Sequence, residues 1–360
     1  MSAHLAVAIS AHGFGHGAQT TAVLTALRAH LPRLRLTLLT GLPRAFLHDR
    51  IPGDFELIDW RGDFGMQMQS ALEVDLARSA ADYAAFHSGW ESRVDTTTRI
   101  FEALKPDLLL ANIPYLPLAA AARIGLPSAA LCSLNWAGIY RHYFAQRAEA
   151  PAILTAMEAA YNCAQTFLCP APSMAMPELR NVQPIGPLAH LGCNVREELC
   201  VRLDVSDTQR LVLIAPGGIE LRLPLETWPE DPGVTWIVPA AWNVRRCDMR
   251  SFEALGLGFT DVLASVDALL GKLGYGTVAE CACNGTPMLY MPRPDWPEER
   301  FLAEWLHEHG RCVPVSRETV LRGQLRDALE TLWSRPAPVP PQPTGAEDAA
   351  RVIMAMLGED

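Results

Sequence analysis

Two short stretches of this chain concentrate residue types that do chemistry. The first is Ala11-His12-Gly13-Phe14-Gly15-His16-Gly17, two imidazoles in a glycine-rich turn. Histidine is the side chain whose ordinary pKa lies near neutrality, so His16, with His12 second, is a candidate general base. The plainer alternative makes both of them loop residues bonded to nearby backbone. The second stretch runs over residues 267–291, DALLGKLGYGTVAECACNGTPMLYM. Gly271, Gly274 and Gly276 make a turn in which backbone amides approach a ligand without Cβ obstruction. A helix starting at Thr277 would point its unpaired N–H groups at that turn, the ordinary way of holding a phosphate. Lys272 and Tyr275 stand in the same turn; Lys272 either pairs with phosphate or covers an apolar edge with its stem.

Glu280 has two readings. Thr277-Val278-Ala279-Glu280 fits a capping box, in which the glutamate reaches back to the N-cap amide. It equally suits a carboxylate accepting hydrogen bonds from ribose hydroxyls beside a bound diphosphate. Farther along, Pro292-Arg293-Pro294-Asp295-Trp296-Pro297-Glu298-Glu299-Arg300 is a proline-stiffened loop entering a helix. Its glutamates suit a first helical turn on dipole grounds alone, or Glu299 and Arg300 face a ligand. Gly217-Gly218 is a turn after a strand, and Arg222 behind it is long enough to reach a phosphate or simply to lie on the surface. Trp136 and Tyr140, four apart on a predicted helix behind Asn135, are either core or a platform for a sugar ring.

These stretches need strands and helices to hold them, and the chain supplies them in alternation. Strands are expected at residues 4–10, 34–40, 55–60, 108–111 and 128–132, then at 211–215, 234–238, 266–270 and 288–291. Helices are expected at 18–30, 116–124, 277–284, 298–309, 317–333 and 346–357, with a long, mostly helical region over 71–104. Repeated strand–helix order implies an α/β fold with parallel sheets covered on both faces. Prolines 170, 172, 177, 184 and 187 interrupt the pattern and mark a domain boundary. The segment 334–343 is held extended by its prolines. Gly13-Phe14-Gly15 and Gly274-Tyr275-Gly276 are the same device, one in each half.

Composition excludes several classes. At 360 residues, 49% apolar and 19% charged, the chain is globular and long enough for two domains. A formal charge of −10 argues against non-specific nucleic-acid binding. Nine cysteines without a Cys-x-x-Cys pair read as reduced thiols of a cytoplasmic protein. No run approaches the ~18 apolar residues of a membrane span, and residues 4–10 behave as a strand rather than as a signal peptide. The first glycine loop is Gly-x-Gly-x-Gly, and Thr40-Gly41-Leu42-Pro43-Arg44 offers no acid for a ribose, which argues against a dinucleotide enzyme. No Gly-x-x-x-x-Gly-Lys-Ser/Thr loop is present, which excludes a P-loop enzyme.

The combination of His12-Gly13-Phe14-Gly15-His16, Asn135-Trp136 with Ile139-Tyr140, residues 271–280, and Arg293 through Glu299 with Phe301-Leu302 resembles the GT-B glycosyltransferases. Within them it is most similar to the family-28-like branch and to the glycosyltransferase-like N-terminal domain of plant L-arabinokinases. Gly17-Ala18-Gln19 and Ala137 depart from that pattern. The resemblance implies two facing Rossmann-like domains with parallel sheets and an interdomain cleft. These would be an N-terminal acceptor domain (1–190), a C-terminal donor domain (191–345) and a last helix (346–360) crossing back to the first.

It further implies an inverting glycosyl transfer, metal-independent and without a cofactor. A nucleotide-sugar, a UDP-sugar for preference, would pass its sugar to a hydroxyl of a glycan, lipid-linked or small-molecule acceptor. His16 and His12 would be catalytic; Gly13, Phe14, Gly15, Asn135, Trp136 and Tyr140 would bind acceptor. Gly217, Gly218, Arg222, Lys272, Gly274, Tyr275, Gly276, Thr277, Glu280, Glu299 and Arg300 would bind donor. The rival readings are a nucleotide-sugar or glycan-binding protein without turnover and a nucleotide-sugar epimerase.

Overall fold

Strands buried on both faces must be apolar along most of their length, and the chain's central strands are, with polar residues only at their ends. In the computed structural model, which describes residues 2–69, 73–215 and 222–359, they assemble two separate parallel sheets. The first unit comprises Met1–Leu188 with Thr344–Asp360, and the second Ala189–Pro343. The first contains β1 (His4–Ile9), β2 (Arg35–Thr40), β3 (Glu56–Asp59), β4 (Leu108–Asn112), β5 (Ser128–Leu131), β6 (Thr166–Pro170) and β7 (Val182–Ile185). Their order is β3-β2-β1-β4-β5-β6-β7, so the sheet grows outward in both directions from the β1/β4 pair. In open α/β sheets the carboxyl ends of the strands at such a reversal are where ligands bind.

The second unit contains β8 (Arg210–Ala215), β9 (Val234–Val238), β10 (Met249–Ser251), β11 (Ala268–Lys272), β12 (Met288–Met291) and β13 (Cys312–Pro314), ordered β10-β9-β8-β11-β12-β13. Its two faces show the period-2 alternation of strands directly. Leu211, Leu213, Ile237 and Leu269 enter one apolar core. Val212, Ile214, Val238 and Leu270 enter the other. Cys281 and Cys283 are buried, and all nine cysteines are free thiols.

Several boundaries differ from expectation. The first helix is Gly15–His30, three residues longer at its start than the periodicity over 18–30 suggests. The helix expected from Thr277 is Tyr275–Cys283, with Gly274 as N-cap. In both cases the glycine reads as loop in the sequence, although a first helical turn accepts it because its amides need no intrahelical partner. β11 lies two residues beyond 266–270, so Gly271 and Lys272 belong to the strand. The region 71–104 divides at Gly89 into helices Leu76–Ser88 and Trp90–Leu104.

The last helix, Gly345–Leu357, packs on Gly15–His30 through Ala349, Ala350 and Ile353, all buried. Its first residue must be glycine: a Cβ there would stand 2.2 Å from the Gly186 carbonyl oxygen, a backbone atom that cannot turn aside. No helix among the described residues is long and apolar enough to cross a membrane.

Candidate functional site

In the first unit the chemistry gathers at the carboxyl edge of β1, β4, β5 and β6. β1 ends at Ile9, paired in register with Asn112, the last residue of β4. The chain then turns through Ser10 to Gly13, whose φ of +76° suits a glycine, and enters the helix at Gly15. His16 is therefore the second residue of a helix and not a loop residue, which directs its ring inward onto the sheet edge. It is 8% exposed. Its Nδ1 lies 3.0 Å from Asn112 Oδ1 and 3.7 Å from Cys132 Sγ. Its Nε2 meets no hydrogen-bond partner among the described residues. Burial, and secondarily the neighbouring His12, push the His16 pKa down to about 4, while the bond to Asn112 acts in the opposite direction. The ring is a neutral imidazole at physiological pH.

His12 remains half-buried at the turn, its backbone N–H donating to Ser10 Oγ at 3.2 Å. The Trp136 ring stands edge-on to both histidines, with centroids 5.3 Å from His12 and 5.8 Å from His16. Gly65, with φ of +62°, fits against the same pair: a Cβ would lie 2.7 Å from His12 Cγ and 2.8 Å from the indole of Trp136. The turn carrying Gly65 also brings in Asp63, whose carboxyl faces Ser10, the Phe64 amide and the Trp136 indole. Burial pushes Asp63 up to about 6, and its Oδ2 is shielded from solvent without a hydrogen-bond partner.

The expected acceptor residues divide. Gly13 and Gly15 face open space, and Phe14 is 44% exposed, leaning on Phe46. Asn135, Trp136 and Tyr140 are at most 1% exposed, so of the two readings of Trp136 and Tyr140 burial favours core over a sugar platform. Asn135 caps the helix Trp136–Phe144, accepting from the Gly138 amide at 2.7 Å and donating to Glu178 at 2.8 Å. Tyr140 packs against Tyr83 and Phe144. Aromatics at i and i+4 on the buried face of a helix are core, and here the buried face contains both.

In the second unit the corresponding edge is that of β11 and β12. The helix Tyr275–Cys283 begins without a side-chain cap and without an acid in its first turn, so its N-terminal dipole is not offset by a nearby carboxylate of that turn. A Cβ at Gly274 or Gly276 would meet nothing within 4 Å. Thr277 sits within the first turn, so the capping-box reading fails: Glu280 is the sixth helical residue and too deep to reach the N-cap amide. Its half-buried carboxyl accepts no hydrogen bond from a described residue, and burial pushes it up to about 7.

Lys272 closes β11 half-buried; burial foremost, then Arg293, pulls its pKa down to about 8 against the opposing pull of Glu298 and Glu299. Glu299 turns inward, accepting from the Arg293 amide at 2.9 Å, while Arg293 donates to the Leu273 carbonyl at 2.8 Å. Glu298 is the more telling residue, although in the sequence it reads only as a dipole-favoured charge. It is 5% exposed, it accepts from the Trp296 indole N–H with Tyr275 beside it, and its Oε1 has no hydrogen-bond partner. Arg300 is exposed and lies over the Phe301 ring. Arg222 lies at the surface, held by Glu226 and by the Trp242 carbonyl at 3.1 Å, the plainer of its two readings. Gly217 and Gly218 fall outside the described residues.

Sequence reasoning also missed Asp63 and Asn112. Asn112 ends an apolar strand, a place where a lone amide carries a signal only once the strand's carboxyl edge is known to face a ligand. Asp63 lies in a turn without periodicity and had none.

No family model matches the chain. It is 24% identical to the L-arabinokinase of Arabidopsis thaliana over 359 residues, 98% of this chain and 34% of that protein. It is 34% identical over 119 residues to the uncharacterized glycosyltransferase MK0977 of Methanopyrus kandleri, covering 30% of this chain and 35% of that one. The chain thus spans about a third of the length of these curated relatives. The solved structure of the kitacinnamycin glycotransferase aligns with 99% of this chain and 95% of its own, at TM-score 0.64 and 17% identity. The spinosyn rhamnosyltransferase SpnG complexed with thymidine diphosphate aligns with 99% of this chain and 96% of its own, at TM-score 0.57 and 17% identity. Two all-parallel α/β units and these alignments give the chain the GT-B fold of the glycosyltransferases.

Proposed function

We propose that the chain is an inverting, metal-independent glycosyltransferase. Its second unit holds a nucleotide-sugar, a UDP-sugar for preference, and its first unit supplies the base. The observation that carries the reading is the hydrogen bonding of His16. With Nδ1 donating to Asn112, the Nε2 lone pair is available to take the proton of an acceptor hydroxyl. The acceptor oxygen then bonds to the anomeric carbon as the bond to the diphosphate oxygen breaks, and the electron pair leaves on the nucleoside diphosphate. His12 is the second candidate for the base.

The uncapped N-terminus of Tyr275–Cys283, with Gly274 and Gly276 leaving room for close approach, suits the departing diphosphate. One preorganised donor of this kind is worth about 3 kcal/mol to a developing anion. Lys272 adds positive charge at the same edge. Glu280, without a protein partner among the described residues, is assigned to a ribose hydroxyl, and Glu298 and Glu299 to the sugar side of the donor. That SpnG is seen with thymidine diphosphate supports a nucleoside diphosphate as the ligand class.

A thermal-shift panel of uridine, guanosine and thymidine nucleotide-sugars tests the donor assignment. One base should raise the melting temperature, and about 100 Kd of ligand adds about 2.7 kcal/mol. No shift with any of them sinks the donor site. Chromatography of released nucleotide, with and without a panel of acceptors, then separates transfer from epimerisation and from binding without turnover.

A further inference from the structure

Four adjacent strands of the first sheet, β1, β4, β5 and β6, end in polar groups that touch one another, and their hydrogen bonds have only one consistent direction. The direction is set farthest from the histidine. The Pro170 carbonyl, at the end of β6, is an acceptor without a choice. Ser133 Oγ lies 3.0 Å from it and donates its single proton there. That hydroxyl therefore accepts from Gln19 Nε2 at 3.1 Å. Gln19 is thereby oriented with Oε1 toward Asn112 Nδ2, 3.5 Å away, and the same Nδ2 lies 3.3 Å from the His16 carbonyl oxygen. Asn112 is left presenting Oδ1 to His16 Nδ1 at 3.0 Å, so Nδ1 carries the ring proton. Reversing Asn112 would set its oxygen against two acceptors. None of Gln19, Asn112 and Ser133 is more than 9% exposed, so water cannot repair such a mismatch.

We propose that Gln19 and Ser133 are positioning residues: with Asn112 they form an uncharged relay from the Pro170 carbonyl that holds His16 in the Nδ1–H tautomer, leaving Nε2 as the proton acceptor. The mechanistic consequence rests on the proposed transfer reaction; the tautomer itself does not. No carboxylate belongs to the relay. The groups facing the His16 ring are Asn112 from β4, Cys132 after β5, Trp136 from the next helix and His12 from the turn, with Gln19 of its own helix behind Asn112. The relay orients the base without supplying a counter-charge for its protonated form.

Long-range 1H–15N correlation spectra of protein labelled with 15N-histidine test this without donor or acceptor, so a failed transfer assay and a failed relay are separate results. His16 is assigned by its loss in His16→Gln. Between pH 6 and 8, taken as about neutral, its spectrum should show a protonated Nδ1 and a bare Nε2. Gln19→Leu and Ser133→Ala should each move that pattern toward averaged tautomers, while the other nine of the ten histidines keep their positions as a control for folding. Asn112→Asp should raise the His16 titration midpoint by at least about one unit, as an adjacent carboxylate does. A wild-type His16 carrying its proton on Nε2 overturns the proposal outright. Either of the first two variants keeping the wild-type pattern removes that residue from the relay.

Discussion

The chain uses one backbone device twice, and the difference between its two copies is instructive. Gly13-Phe14-Gly15 and Gly274-Tyr275-Gly276 each join a central parallel strand to a helix that starts without a side-chain cap or a first-turn acid. In the first unit the turn needs φ of +76° at Gly13, and the helix it opens delivers an imidazole onto a buried amide. In the second unit Gly274 is extended, Gly276 is helical, and both face empty space with carboxylates and two cations behind them. The first copy is built to place a side chain, the second to leave open space before a helix start that no side chain caps. A strand-to-helix turn has no chemistry of its own; the residue one or two positions past it supplies that chemistry.

The comparison breaks most visibly at His16. His16→Ala should lower transfer by about 10²–10⁴-fold, the range of a general base, while the nucleotide-induced thermal shift stays at its wild-type value. Equal loss of both would make the two copies one binding surface with no division of labour.

Next in size is the second copy's empty space. Gly276→Leu should weaken nucleoside diphosphate binding by at least about tenfold, read by calorimetry, because the side chain fills the room left for phosphate. The unliganded protein should melt no lower than wild type, since a helical glycine replaced by leucine gains roughly 0.5–1 kcal/mol and the new Cβ has nothing within 4 Å. Gly13→Ala has the opposite sign: its left-handed backbone costs an L-residue roughly 1–2 kcal/mol, visible as a lower urea midpoint. If both substitutions behaved alike, the two copies would differ in sequence only.

The two titrating groups sharpen the contrast in pH. His16 in the folded state is held near 4, below the 6.5 of a free histidine. As pH falls, the unfolded chain takes the proton first, so the contribution of His16 to stability is complete above 6.5 and is lost down to about 4. It amounts to roughly 3 kcal/mol. Glu280, raised from 4.5 to about 7, works in reverse: stability is complete below 4.5 and falls as pH rises to about 7. Urea unfolding from pH 4 to 8 should show His16→Ala flattening the acid limb and Glu280→Gln flattening the neutral one. The smallest effect expected is on binding, where Glu280→Gln should weaken the nucleotide by a few-fold, about 1 kcal/mol for one hydrogen bond. Unchanged nucleotide affinity in that variant would remove Glu280 from the ribose.

Much of the fold was legible in residue patterns. The expected strand over 288–291 is β12 itself, and residues 34–40 contain β2, because runs of apolar residues bounded by turn signals leave few alternatives. Helix starts read late wherever glycine opens the first turn. Trp136 and Tyr140 were open to either reading until burial decided, since helical spacing says which residues share a face and not what that face meets. Glu280 was equally open; two residues of helix boundary closed the capping-box alternative.

The sequence by itself determined that this is an α/β chain with two glycine turns after strands, one bearing histidines and the other opening a helix. Local rules suffice for that, because turn chemistry and strand burial are properties of neighbouring residues. Only the tertiary structure decided that His16 faces Asn112, that Gln19, Ser133 and Pro170 stand behind it, and that Glu298 is buried with a partnerless oxygen. Asn112, Ser133 and Pro170 lie at or just past strand ends up to 154 positions away from His16 along the chain, and parallel sheet order makes them its neighbours. Hydrogen-bond direction is a property of the assembled edge, and no stretch of sequence contains it.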